Sequence, residues 1–208
     1  ENSDNIILFY SGYSWPKECQ DTNTDLLPDY CFENSDRNLD YTEWNREHIW
    51  SKSHGDFGNL VGPGTDMHHI RPTDVSVNGA RAALDFDEGG SIVYDGSIAT
   101  LNFKDGDSFE PRDEVKGDVA RMIFYMAIRY EGELGDMVDL RVINDPNSDK
   151  SSKLPTYGDL DDLLRWAIED PVSEKEIERN QVIYGYQGNR NPFIDMPTLV
   201  ELIFGSAS

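Results

Sequence analysis

Residues 44–81 contain every histidine of the chain, although they make up less than a fifth of its length. One of them, His48, directly follows Glu47, and an imidazole that titrates near neutral pH can take a proton from water as a general base. The Glu47 carboxylate and the Asn78 amide oxygen are hard donors, which suit magnesium, manganese or calcium better than zinc. This combination predicts metal-assisted hydrolysis of a phosphate ester, with His48 as the catalytic base and Glu47 and Asn78 as metal ligands.

The same stretch predicts the order strand, loop, strand, helix. The predicted elements are a strand over 44–50, a strand over 66–70 closed by Pro72, and a helix capped by Thr73 or Asp74 that carries Asn78 and Arg81. Side chains of a strand alternate between its two faces. Glu47 and His48 can therefore serve one site only where the first strand ends or bulges.

The other histidines and acids of the stretch are predicted to be structural. His68 and His69 lie on the predicted second strand, so at most one of them faces the site, and hydrogen bonding is favoured over metal ligation. His54 is interpreted as an ordinary loop residue. Asp66 and Asp74 either orient neighbouring side chains or cap a turn or helix. Zinc is disfavoured, because no cysteine accompanies the histidines and no HExxH spacing occurs.

Length and composition predict a single domain over 1–208, and a hydrophobic fraction of 38% excludes a disordered chain. The net charge of -22 argues, taken alone, against a polyanionic partner. Residues 44–81, however, hold four cations and four anions, so the excess negative charge lies outside this stretch. No run of about 18 apolar residues occurs, so no membrane-spanning segment is predicted.

Cys19 and Cys31 are the two cysteines of the chain, and they lie in a turn-rich segment over 16–42. A disulfide between them would close a short loop and would stabilise the fold by about 3 kcal/mol in the chain-entropy model. This pairing favours an oxidising compartment outside the cytosol. Two free cytosolic thiols are the alternative.

Outside residues 44–81 the pattern predicts a mixture of strands and helices. The predicted strands cover 6–10, 92–94 and 98–103, and the predicted helices run from Pro111 to near Gly132, over 160–168, from a Ser173–Glu176 capping box towards Tyr186, and over 197–204. Apolar residues recur at three and four positions along the first of these helices, which indicates the main core helix. Acidic loops at 85–90 and 105–107 are interpreted as solvated, because no full EF-hand spacing follows either of them.

Four segments resemble the bacterial endonuclease I family of ββα-metal nucleases. They are Asn-Arg-Glu-His at 45–48, Thr-Asp-Met-His-His-Ile-Arg-Pro-Thr-Asp-Val-Ser-Val-Asn at 65–78, and the segments 109–121 and 187–195. Together they span most of the chain after Tyr41. The resemblance implies an α+β fold in which a ββα-metal core, or His-Me finger, at about 43–82 is packed by several helices.

The resemblance also implies a function. The expected protein is a secreted or periplasmic bacterial nuclease that cuts DNA, and often RNA, without sequence specificity. The residue matched by His48 is the general base, and those matched by Glu47 and Asn78 hold the metal, expected to be Mg²⁺ with Mn²⁺ or Ca²⁺ as alternatives. Attack by water would give 5'-phosphate ends without a covalent enzyme intermediate. We expect a monomer that has no membrane partner.

One feature of the family is missing from the matched segments. Some members carry a phosphate-binding arginine in the loop after the matched histidine, whereas this chain has no arginine between Arg46 and Arg71. The candidates to contact phosphate in its place are Arg71, Arg81 and Arg190. The residue types alone do not choose among them.

Two other functions compete with the nuclease. A non-catalytic secreted module that binds calcium through its acidic loops would explain the charge but would leave Glu47, His48 and Asn78 without a role. A phosphodiesterase for small nucleotides would use the same three residues on a smaller substrate. If the protein is a nuclease, the repulsion between its acidic body and DNA predicts salt adaptation, with an activity optimum at raised sodium chloride.

Overall fold

The computed structural model describes residues 4–21, 27–31, 43–132, 138–144 and 153–205. Within these ranges helices and small sheets follow one another along the chain, so the protein has a mixed α+β fold, as predicted. None of the described helices is both long enough and apolar enough to cross a membrane.

The described strands form small sheets of two or three strands. The antiparallel sheets are β1 (Asn5–Ile7) with β2 (Ser14–Pro16), β3 (Trp44–His48) with β4 (Ile70–Asp74), and β5 (Ser91–Asp95) with β6 (Ile98–Lys104) and β7 (Phe109–Glu110), while β8 (Arg141–Val142) and β9 (Thr156–Tyr157) pair in parallel. The predicted strand over 6–10 is wrong in its extent. Pairing ends at Ile7, and the buried residues 8–10 follow in a turn closed by a hydrogen bond from Gly12 to Leu8.

Five of the six described α-helices lie close to their predicted positions, whereas the short helix at 192–195 was not predicted. They are α1 (Val75–Arg81), α2 (Lys116–Arg129), α3 (Leu160–Glu169), α4 (Glu174–Gln187), α5 (Pro192–Asp195) and α6 (Leu199–Phe204). The capping box at the start of α4 is confirmed, since Ser173 accepts from the Glu176 amide and the Glu176 carboxylate accepts from the Ser173 amide. Helix α2 starts later than Pro111, after a short 3-10 turn over 113–115.

Helix α2 is the centre of the hydrophobic core. Residues 116–127 are buried all around the helix, so the prediction of a single apolar face is wrong. Gly117 allows the end of α3 to pack closely, because a Cβ there would lie 2.0 Å from the Asp170 carbonyl oxygen. On another side Arg121 donates two hydrogen bonds to Glu176 of α4, at 2.7 and 2.8 Å. Polar residues of α2 are therefore buried through contacts with α3 and α4, which the local pattern does not reveal.

Strand β4 differs from its prediction, because it contains Pro72 instead of ending before it. In the register with β3, Pro72 lies opposite Arg46, and Ile49 donates to the His69 carbonyl at 2.9 Å. This alternation makes the Arg46–Pro72 pair a non-hydrogen-bonded one, so β3 needs no N–H from Pro72. The proline carbonyl points outward and accepts from Phe9 at 2.8 Å.

The disulfide between Cys19 and Cys31 is confirmed. Both cysteines are buried in a small second cluster with Leu8 and Trp15. The Cys19 carbonyl accepts from the backbone N–H of Trp44, the first residue of β3, at 2.9 Å. The disulfide-linked segment is thereby attached to the strand that carries Glu47 and His48. The rest of the predicted loop over 16–42 lies partly outside the described residues.

Candidate active site

The first strand of the β3–β4 hairpin ends at the two residues that the sequence singles out for chemistry. Glu47 and His48 are the last residues of β3, and both line a cavity of about 350 Å³. Asn78 of α1 lines the same cavity. Side chains alternate between the two faces within a strand, but Glu47 and His48 can serve one site because the strand ends at them.

Helix α1 holds this arrangement by packing across one face of β3. Asn45 and Glu47 are two residues apart on the strand and share that face. Asn78 donates from Nδ2 to Asn45 Oδ1 at 2.7 Å, and Arg81, one helical turn later, places Nη1 3.2 Å from Glu47 Oε1. The carboxylate of Asp74 caps the helix by accepting from the amides of residues 76 and 77.

Glu47 is only 3% exposed and is surrounded by groups that orient its carboxylate. The hydroxyl of Tyr10 donates to Oε1 at 2.9 Å, and Arg81 binds the same oxygen. Burial raises the pKa of Glu47, although Arg81 and Tyr10 oppose the rise by favouring the charged form. Because both partners bind Oε1, neither of them uses the second carboxylate oxygen.

The oxygen donors at this cavity fit a hard divalent cation. Asn78 uses its Nδ2 on Asn45, so its Oδ1 remains an acceptor beside the carboxylate of Glu47. Two protein oxygens, with the other positions left to water and phosphate, are a typical magnesium arrangement. Within the described ranges, no three side chains of His, Cys, Asp or Glu are grouped as metal ligands. A cation here would therefore rest on few protein side chains.

His48 is held in one tautomer by a backbone carbonyl. Its Nε2 lies 3.0 Å from the carbonyl oxygen of Gly64, and a carbonyl can only accept, so Nε2 carries the hydrogen. In the neutral ring Nδ1 then carries the lone pair and can accept a proton. Burial lowers the pKa of His48, which keeps the imidazole in this neutral, basic form at pH 7.

The position of that carbonyl depends on a glycine-rich loop over 58–64. A Cβ on Gly64 would lie 2.5 Å from the Gly58 carbonyl oxygen, so only glycine fits where the loop folds back on itself. The adjacent carbonyl of Pro63 accepts from His69 Nε2 at 2.7 Å. One compact loop therefore orients two imidazoles through its backbone.

A family model described as Endonuclease I matches residues 1–198 of the 208 in the chain. The chain belongs to the endonuclease I family. This assignment confirms the resemblance that residues 45–48 and 65–78 carry.

Several relatives of this endonuclease I chain bear names that state an activity. An "Extracellular ribonuclease" of Bacillus amyloliquefaciens is 56% identical over 163 residues, covering 78% of this chain and 54% of the relative. A second "Extracellular ribonuclease", from Bacillus subtilis, is 48% identical over 204 residues, covering 98% and 62%. An "Extracellular deoxyribonuclease" of Aeromonas hydrophila is 30% identical over 132 residues, covering 62% and 48%. The chain thus spans between about half and two thirds of the length of these relatives.

Two predicted phosphate contacts of the endonuclease I chain lie away from the cavity. Arg71 lies over the Phe9 ring at 4.3 Å and 3.8 Å from Asp118 of α2. Arg190 binds both carboxylate oxygens of Asp195 at 2.7 Å on the protein surface. Neither residue lines the cavity. Their contact with phosphate stays a prediction, and in this structure their partners are protein groups.

The third predicted contact, Arg81, lines the cavity but is only 1% exposed. Besides Glu47 it donates to the backbone carbonyls of His48 and Ile49 and to the hydroxyl of Tyr157. Its phosphate contact also stays a prediction. Arg46 and Lys52 line the same cavity and carry more exposed cations, although their sequence positions had not marked them as candidates.

Asp66 has a larger structural role than capping. Its carboxylate is 3% exposed and accepts from the hydroxyls of Tyr125 and Tyr130 at 2.7 and 2.8 Å. It also accepts from Gln187 Nε2 at 2.9 Å and from the His68 amide at 2.9 Å. This hub joins the segment before β4 to α2 and α4. None of these partners is near Asp66 in sequence, apart from His68, so local reasoning could not find it.

Two predictions about the histidines are wrong. His54 is not an ordinary loop residue, because it is 4% exposed and its ring nitrogens lie 2.7 and 2.8 Å from the carbonyl oxygens of Thr156 and Ala83. His68 and His69 precede β4 instead of lying on a strand, and both are buried. Their structural interpretation agrees with their contacts, since His68 Nε2 is 3.2 Å from the Asn189 carbonyl.

His69 is expected to make the stability of the protein sensitive to acid. Its ring is fully buried, and burial lowers its pKa to about 3. The unfolded chain binds a proton there near pH 6.5, so between about pH 6.5 and 3 the unfolded state holds a proton that the folded state lacks. The free energy of unfolding is therefore expected to fall, by up to about 1.4 kcal/mol per pH unit from this residue, as pH decreases through that window.

Urea unfolding of the wild type and His69→Gln at several pH values checks this expectation. Glutamine keeps a donor for the Pro63 carbonyl but does not titrate, so the variant should lose less stability between pH 6.5 and 4 than the wild type. Equal slopes for the two proteins would show that another group causes the acid sensitivity.

Proposed function

We propose that the protein is a secreted or periplasmic, sequence-nonspecific endonuclease that hydrolyses DNA and RNA with a divalent cation, giving 5'-phosphate ends. The observation that carries the proposal is that Glu47, His48 and Asn78 line one cavity, and that the Gly64 carbonyl fixes the His48 tautomer in which Nδ1 is basic. The names of the relatives support both nucleic acids and a location outside the cytosol. Under this proposal β3, β4 and α1 form the ββα-metal core.

Each residue of the cavity has a separate role in the proposed reaction. His48 takes a proton from water at Nδ1, while the Gly64 carbonyl keeps the other nitrogen protonated and favours the imidazolium that forms. Glu47 and Asn78 would hold a divalent cation, with Mg²⁺ favoured and Mn²⁺ or Ca²⁺ as alternatives. A bound cation supplies positive charge for the phosphate and the leaving 3'-oxygen. Arg46 and Lys52, which line the cavity, are positioned to attract the phosphate backbone.

The test is cleavage of supercoiled plasmid and of single-stranded RNA by the purified protein with Mg²⁺, with Mn²⁺, with Ca²⁺ and with EDTA. We expect cleavage of both substrates that EDTA abolishes and added Mg²⁺ restores. Glu47→Gln should remove the activity. Glu176→Gln is the matched control, because Glu176 is equally buried, at 3% exposed, and pairs with a buried arginine outside the cavity.

The competing functions give different results in the same assays. If plasmid and RNA stay intact with all three cations across a range of salt, the nuclease proposal fails and a calcium-binding recognition module replaces it. Turnover of bis-p-nitrophenyl phosphate without cleavage of plasmid or RNA would instead indicate a phosphodiesterase for small nucleotides.

The acidic surface predicts an unusual dependence on salt. Nucleic-acid binding normally weakens as salt rises, because the release of counterions into more concentrated salt gains less entropy. Here the net charge of -22 repels the substrate, and salt shortens the reach of this repulsion to about 8 Å at physiological ionic strength. We expect the initial cleavage rate to pass through a maximum at raised sodium chloride. A rate that only falls from low salt upward would contradict salt adaptation.

A further inference from the structure

A second cavity lies beside the first, and His48 and Arg46 line both of them. The second cavity has a volume of about 450 Å³ and lies on the side of His48 where the Gly64 carbonyl binds the ring. Neither Glu47 nor Asn78 lines it. A nucleic-acid strand whose phosphate reaches His48 therefore has a further concave surface next to that phosphate.

The lining of the second cavity is apolar at two residues and polar around them. Met67 and Ile70 supply the apolar surface, and the Met67 side chain is exposed, at 39% for the residue. Asn59 and Thr65 supply polar groups. Asn59 Oδ1 accepts from Lys52 Nζ at 2.9 Å, which leaves its Nδ2 to donate to a ligand. A flat, partly apolar ring with carbonyl oxygens at its edge matches this surface.

Arg179 of α4 holds the apolar surface in place. It donates to the backbone carbonyls of Met67, His68 and Ile70, the first two of which precede β4. Burial lowers the pKa of Arg179 to about 9, so its guanidinium still carries a charge at pH 7. In the part of the chain that the structure describes, it forms no salt bridge with a carboxylate. Its positive charge therefore attracts a nucleic-acid strand, whose backbone is anionic, towards the cavity.

We propose that the second cavity binds one unpaired nucleobase adjacent to the scissile phosphate, so that the enzyme prefers single-stranded nucleic acid to duplex. This inference rests on the proposed nuclease function. A base inside a duplex is stacked on both faces and paired at its edge, so it can lie on Met67 only after leaving the stack. Stacking on an apolar surface tolerates any base, which agrees with cleavage that ignores sequence.

Binding without cleavage tests the inference first. Fluorescence anisotropy in EDTA would compare a labelled single-stranded thymidine oligonucleotide with a labelled hairpin duplex. Met67→Ala should weaken single-strand binding by about fivefold, because it removes apolar contact area, and should change duplex binding by less than about twofold. Met196→Ala is the matched control, since Met196 is also exposed, at 54%, and does not line the cavity. It should change neither affinity.

Cleavage with Mg²⁺ provides the second comparison. We expect wild-type kcat/KM to be higher for the single strand, and Met67→Ala to raise KM for that substrate while kcat stays near the wild-type value. Met67→Leu, which keeps an apolar side chain, should restore KM. Equal effects of Met67→Ala on the single strand and the duplex, or no effect on either, would overturn the subsite.

The two experiments distinguish failure of the proposed subsite from failure of the proposed nuclease function. If the wild type cleaves both substrates and Met67→Ala behaves like Met196→Ala, the subsite is wrong and the nuclease function stands. If the wild type cleaves nothing, the function fails, and the anisotropy measurement still decides whether the cavity binds an unpaired base.

Discussion

His48→Ala is expected to lower kcat for plasmid cleavage by about 10²–10⁴, the range that general-base catalysis contributes. The expectation follows from the ring, which lines the cavity and has Nε2 bound to Gly64, so that Nδ1 is the nitrogen able to accept a proton. The substitution removes the base but no metal ligand. Affinity for the divalent cation, measured by calorimetry, should therefore stay near the wild-type value.

Chemical rescue distinguishes catalysis by His48 from a structural role. Added imidazole should restore part of the lost rate in His48→Ala, because the free base can enter the space that the side chain vacated. The wild-type rate should be insensitive to the same addition. If His48→Ala retains more than about a tenth of the wild-type kcat, another group is the base and the proposed mechanism is wrong.

Arg81→Ala is expected to lower the free energy of unfolding by about 3–5 kcal/mol, as removal of one partner of a buried ion pair does. Arg81 is 1% exposed and Glu47 is 3% exposed, so the variant leaves a buried carboxylate without its cation. It also removes one of the two groups that bind Glu47 Oε1. Affinity for Mg²⁺ should therefore fall together with stability.

Arg121→Ala distinguishes the loss of stability from the loss of Mg²⁺ affinity. Arg121 is also 1% exposed and pairs with Glu176, which is buried outside the cavity. The variant should lose as much stability as Arg81→Ala, measured by urea unfolding, but should bind Mg²⁺ normally below its melting temperature. Lys153→Ala, which breaks an exposed pair with Asp56, should cost less than about 1 kcal/mol. Normal Mg²⁺ affinity in Arg81→Ala would contradict the role of Arg81 in orienting Glu47.

Local sequence rules predicted the elements whose structure depends on near neighbours. The strand that carries Glu47 and His48, the disulfide and the capping box of α4 each follow from a few adjacent residues or a short loop. This strand was predicted over 44–50 and ends at His48. The second strand was misplaced for a definite reason. Pro72 was taken to end it, whereas the register with β3 places this proline where the ladder needs no donor.

Contacts between distant segments could not be predicted in this way. Asp66 binds Tyr125 and Tyr130, which are 59 and 64 residues away, and Arg179 binds carbonyls more than a hundred residues before it. The partner of His48 is a main-chain oxygen of Gly64, which carries no side-chain signal. Residue types therefore singled out the candidate reacting groups, while the groups that orient them came from tertiary packing.

The contact between Arg81 and Tyr157 has a consequence for the order of folding. The Asn45–Asn78 and Glu47–Arg81 contacts span little more than thirty residues, whereas Tyr157 lies 76 residues beyond Arg81 in sequence. Closing a longer loop costs more chain entropy, so the distant contact is expected to form later. The hairpin and α1 can thus assemble early, but the buried charges become fully enclosed only when the segment around Tyr157 docks. Intermediates that lack this docking should have a hydrated, loosely held Glu47, and the native cavity should become rigid only after this segment docks.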